Sequence, residues 1–127
     1  MNGKLVKEWV SKAEQDYAVA KVLLQRRALR VNDAICFHSQ QCIEKYLKAF
    51  LTSNSLHFPK SHSLENLTTL ASKQDGSYEL IADLIRPLSK YAVGFRYPGE
   101  EARRPEARYA VKTMEEARKF IRERLNL

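Results

Sequence analysis

The sequence predicts an all-α protein, an up-down antiparallel bundle of four to five helices built as a single domain from residues 1–127. Three observations carry this. Apolar residues recur at spacings of three and four through most of the chain. Gly and Pro number only four each and fall at breaks between those runs. At 127 residues the chain can bury roughly two thirds of the surface its unfolded form exposes, so it needs no metal or disulfide to fold.

Val6, Val10, Ala13, Tyr17, Ala20 and Leu24 draw an apolar stripe along a first helix from about Leu5 to Gln25. Arg26, Arg27 and Arg30 crowd its end, where cations complement the negative pole of the helix macrodipole or could instead meet a phosphate.

A second helix begins at Asn32 or Asp33, either of which can cap free amides, and runs to about Ser53. It carries two adjoining stripes, Cys36, Ile43, Leu47 and Phe50 beside Ile35, Cys42, Tyr46 and Ala49. An arc that wide requires neighbours on several sides, which makes this helix the expected centre of the bundle. Glu44 and Lys48, four apart, read as a surface ion pair worth a few tenths of a kcal/mol. His38 sits near the apolar arc and reads as a hydrogen-bonded, partly buried side chain.

Residues 54–61, with Pro59, form a loop, and Ser63 caps a short third helix carrying Leu64, Leu67, Leu70 and Ala71 that stops at Asp75-Gly76. Tyr78, Ile81, Ile85, Leu88, Ala92 and Phe95 define a fourth helix with a kink at Pro87. After the break at Gly94 and Pro98-Gly99, Pro105 suits the first turn of a last helix marked by Ala107, Ala110, Met114, Ala117, Ile121 and Leu125.

Twenty-two Lys and Arg against fifteen Asp and Glu give a formal charge of +7, which favours polyanionic partners or simply a solvated basic surface. No apolar run approaches the length of a membrane span and no leader pattern follows the charged start, so a reduced cytoplasmic setting is expected. Cys36 and Cys42 lie six positions apart on one helix, with α-carbons about 9 Å apart, and cannot bridge. His57 and His62 have no Cys or carboxylate at ligand spacing, so neither a metal site nor a cofactor is expected. The paired carboxylates of a nucleotidyltransferase are also missing.

The string Phe37-His38-Ser39-Gln40-Gln41-Cys42-Ile43-Glu44-Lys45-Tyr46-Leu47-Lys48-Ala49-Phe50-Leu51, the later His62-Ser63-Leu64, and Arg96-Tyr97-Pro98-Gly99 resemble the HEPN family across nearly the whole chain. That resemblance implies a helical bundle, commonly a homodimer, often encoded beside a minimal nucleotidyltransferase in a toxin–antitoxin setting, or acting as a metal-independent ribonuclease. In the nuclease members an Arg is followed four to six residues later by His near the start of the last helix. Here Arg96, Arg103, Arg104 and Arg108 occupy that region, but no His follows His62, and Tyr109 stands five positions beyond Arg104. A phenol with a pKa near 10 is a poor base at neutral pH.

The expected function is therefore a non-catalytic nucleotide- or RNA-phosphate-binding partner of a nucleotidyltransferase. Arg96, Tyr97, Arg103 and Arg104 are its binding residues, and Gln41 and Lys45 lie on a partner or dimer surface. The competing expectations are a dimeric ribonuclease in which Arg96 or Arg104 stabilises charge and Tyr109, or His38 or His62 brought close by folding, transfers protons, and a purely structural oligomerising module. The alternative to the binding role is that Arg96 hydrogen-bonds the last carbonyls of helix four while Tyr97-Pro98 packs as a lid over the bundle end.

Overall fold

A computed structural model describes residues 2–61, 63–93 and 97–127. Among them are five α-helices and no strand: α1 (Gly3–Gln25), α2 (Asn32–Ser53), α3 (Leu64–Gln74), α4 (Glu79–Ile85) and α5 (Arg104–Arg124). Two 3-10 stretches, Gly76–Tyr78 and Arg86–Ala92, flank α4.

Helix α2 is the spine. Both of its predicted stripes are buried, and it packs against α1, α3, α5 and the second 3-10 stretch. Burial extends beyond the apolar arc to Glu44 and Lys48, which form an ion pair at 3.0 Å with only 4% and 9% of their side chains exposed. This corrects the expectation of a surface pair. The cause is the cover on that side of α2: the Lys48 ammonium lies 5.5 Å from the Trp9 ring and 5.9 Å from that of Phe58, while Gln40 donates to Glu44 at 3.0 Å.

The capping residues behave as local chemistry dictates at α3, where the Ser63 hydroxyl accepts from the Asn66 amide, and at the next turn, where Asp75 accepts from the Ser77 amide. They do not at α2. Its N-cap is Val31, and neither Asn32 nor Asp33 caps it, because both side chains are drawn to the segment before α5. At Pro87 the missing amide and the ring's clash with a preceding carbonyl end α4, and the chain tightens into the 3-10 stretch. The predicted kink is thus a change of helix type. The last helical position of the predicted fourth stripe, Phe95, lies outside the described residues.

Helix α5 runs antiparallel to α1. Lys21 meets Glu115 at 2.7 Å, and further along Arg118 grips Glu14 through two nitrogens, each at 2.7 Å. At the opposite end of α5, Tyr78 is packed between Phe50 and Phe120, with Arg124 reaching Asp75 at 3.5 Å. The starts of α2 and α5 consequently lie together at the end of the bundle where α1 finishes.

Candidate anion-binding site

Past Gln25 the α1 helix unwinds through Arg26, whose amide donates to the Leu23 carbonyl, and the amide of Leu29 donates to the carbonyl of Arg26. This tight turn leaves Arg27, Leu29 and Arg30 exposed before α2 begins. Two side chains in the first turn of α2 then take hold of a residue from the far end of the sequence. The Ala102 amide donates to the Asp33 carboxylate at 2.6 Å, and the Asn32 amide nitrogen donates to the Ala102 carbonyl at 3.4 Å. Ala102 itself is buried.

Pinning Ala102 fixes where the next two residues emerge. Arg103 and Arg104 come out beside Arg30, and the Arg104 guanidinium also donates to the carbonyl of Leu24 near the end of α1. Two concavities result, of about 390 and 370 Å³. The first is lined by Arg30, Arg103 and Arg104 with Asp33 and Glu101, the second by Arg27, Arg30, Arg104 and Arg108. They share Arg30, Asn32 and Arg104, so they form one groove that presents five guanidinium groups against two carboxylates.

Guanidinium is the cation best matched to phosphate, because its planar fork offers two parallel N–H donors and it stays charged at any physiological pH. Glu106, one turn into α5, accepts from the Arg103 amide at 3.1 Å, and that hydrogen bond holds its carboxyl below the usual glutamate range. Glu106 also accepts the Tyr91 hydroxyl at 3.0 Å, which ties the first turn of α5 to the 3-10 stretch after α4.

Of the residues singled out in the sequence, Arg103 and Arg104 line the groove. Arg96 and His62 lie outside the described residues. Tyr97 is 69% exposed and opens a turn closed by the Glu100 amide on the Tyr97 carbonyl, with Pro98 and then Gly99 at the centre. Gly99 has φ +91°, the position of such a turn where a side chain would be strained. The Tyr109 hydroxyl donates to the Leu84 carbonyl at 3.0 Å, which commits its proton to the contact between α5 and α4.

Gln41 and Lys45 sit on the outer edge of α2. Lys45 donates to Asp16 at 2.6 Å, the other carboxylate oxygen of Asp16 lies 2.8 Å from His38 Nδ1, and Gln41 donates to Gln40 at 2.7 Å. His38 is thus the hydrogen-bonded, partly buried residue expected. Exposed Phe37 lies beside it, ring edge to ring at 5.3 Å.

Arg108 was not among the predicted binding residues, and for Arg27 and Arg30 the sequence left a helix-end role and a phosphate-binding one side by side. The cluster after α1 was visible as charge, but nothing local shows that it faces α5.

A family model for the HEPN domain matches residues 6–124. The chain belongs to the HEPN domain family. This HEPN domain is 35% identical over 103 residues to "Putative toxin MJ1304" of Methanocaldococcus jannaschii, a match covering 76% of the chain and 66% of that relative, just under two thirds of its length. Its fold is that of an archaeal protein described as "ST0689, an archaeal HEPN homologue", with a TM-score of 0.72, 21% identity, and coverage of 94% of this chain and 96% of the other. The arginine groove of this HEPN domain lies where α1 ends and α2 and α5 begin.

Proposed function

We propose that this HEPN domain binds the phosphates of RNA or of a nucleotide in the arginine groove and serves as a non-catalytic partner of a minimal nucleotidyltransferase in a toxin–antitoxin pair. The observation that carries the binding role is the convergence of Arg27 and Arg30 with Arg103, Arg104 and Arg108 from the other end of the chain. Among the described residues no histidine lines the groove. The site as described therefore supplies cations for a phosphate but no imidazole to move a proton. The open groove suits an extended strand, and the +7 charge of the chain adds long-range attraction.

The outer edge of α2, with Phe37, Gln41 and Lys45, is where we place the interface with a second copy or with the nucleotidyltransferase. Phe37 supplies exposed apolar area there, and the Asp16 to Lys45 and His38 bonds hold the edge rigid.

Anisotropy titrations of a labelled single-stranded RNA and of ATP test the binding role. Arg30→Ala and Arg104→Ala should each weaken binding and lower the salt dependence by about 0.7 for every phosphate of a single strand that is no longer neutralised. Unchanged affinity in both variants sinks the assignment.

The word toxin in the archaeal relative's name favours a second reading, in which this chain is a toxin, and RNA cleavage without a metal is the activity that the HEPN resemblance suggests for it. In that case Arg104 would steady the developing charge on the phosphate. Incubation with total RNA in EDTA would then yield fragments ending in 2′,3′-cyclic phosphate, and their absence retains the binding-only reading.

A further inference from the structure

We infer that Asp33 is a positioning residue of the arginine groove: it sets the register of Arg103 and Arg104 against Arg30 by holding the Ala102 amide. The inference rests on the phosphate-binding reading given above. On charge alone Asp33 is out of place in an anion site, since a carboxylate in the lining repels what the groove attracts.

Its geometry accounts for its presence. The carboxylate sits in the first turn of α2, where a side-chain oxygen would ordinarily serve the helix's own free amides, yet α2 has no side-chain cap. Instead it accepts the Ala102 amide at 2.6 Å, a charge-assisted bond sixty-nine positions away in sequence. Asn32 completes the clasp by donating to the carbonyl of the same residue. Ala102 directly precedes the two arginines that α2 and α1 bring to the groove, so any slack at Ala102 is passed to Arg103 and Arg104. The Arg104 bond to the Leu24 carbonyl requires the same registration from the other side.

Two substitutions of equal charge separate positioning from electrostatics. Asp33→Asn removes the charge and keeps an oxygen that can accept from Ala102, whereas Asp33→Ala removes both. A pure charge effect makes both variants bind an RNA strand more tightly than the parent, and equally. Positioning makes Asp33→Ala bind about fivefold more weakly than Asp33→Asn, with a shallower salt dependence because a guanidinium has left the phosphate path.

The test is anisotropy with a fluorescein-labelled oligouridylate at several salt concentrations, on protein shown by circular dichroism to be folded. Hydrogen exchange at the Ala102 amide, measured without RNA, should speed up in Asp33→Ala and stay slow in Asp33→Asn. Equal affinities and salt slopes for the two variants overturn the positioning role while leaving the groove in place. Failure of the parent protein to bind the strand overturns the phosphate-binding reading, and the role of Asp33 with it.

Discussion

Glu14 on α1 accepts from both Nε and Nη2 of Arg118 on α5 at 2.7 Å, and the same carboxylate receives the hydroxyl of the buried Tyr46 from α2. Three helices are thereby joined at one carboxylate. Arg118 also lies over the Tyr17 ring, 4.2 Å from its centre, and Arg122 donates to the Tyr46 hydroxyl.

This junction should make stability depend on pH in a defined direction. The Arg118 hydrogen bond holds the Glu14 carboxyl below its ordinary 4.5, against the opposing effect of burial and with help from Tyr46. A depressed carboxylate contributes stability above its unfolded pKa and loses it as pH falls through the folded one. Because Glu14 is about one third exposed, the expected loss in Glu14→Gln at pH 7 is about 1 kcal/mol. The gap between variant and parent should begin to narrow near pH 4.5 and close only as the pH falls through the lower value of the folded protein. Urea unfolding across that range measures it, and a constant gap would refute the assignment.

Leu47 is fully buried on the spine helix. Leu47→Ala should cost about 2–5 kcal/mol, through the burial forfeited and the cavity left behind. A change below about 0.5 kcal/mol in chemical denaturation would show that α2 is peripheral.

The buried Lys48 touches the single tryptophan of the chain, which gives a direct optical readout. Lys48→Ala withdraws the cation paired with Glu44 and should cost about 3 kcal/mol, with Trp9 emission shifting to the red as water reaches the ring. Lys48→Met with Glu44→Gln should recover part of that stability. A double variant no better than the single one would argue against a desolvated ion pair.

Both cysteines should be inert in the folded protein. Burial pushes the Cys36 thiol up to about 12 and the Cys42 thiol well above its ordinary value, so little thiolate exists at pH 8. Neither should react with a disulfide reagent until urea unfolds the chain, whereupon both should react. Rapid labelling of the native protein would contradict the burial of α2.

How far the sequence could be read follows from the range of the forces involved. The spine position of α2, the Ser63 cap, the stop at Asp75 and the entry of Pro105 into α5 were all legible, because each depends on neighbours within a turn or two, whereas Pro87 was read as a kink in one helix and instead marks the change from α to 3-10. The Glu44 and Lys48 pair was misplaced on the surface because a spacing of four says nothing about Trp9 and Phe58 closing over it.

The candidate arginine groove divides the same way. Arg103 and Arg104 could be named from their place before the last helix, and family membership was legible in the α2 string together with Arg96-Tyr97-Pro98. The sequence by itself determined the helices, their apolar faces and the excess of cations, since those are set by residue type and local period. Only the tertiary structure decided that Asp33 would forgo its own helix to hold Ala102, and that Arg27 and Arg30 would thereby face Arg104. A hydrogen bond across sixty-nine residues exists only once packing has brought its partners together, and no periodicity encodes it.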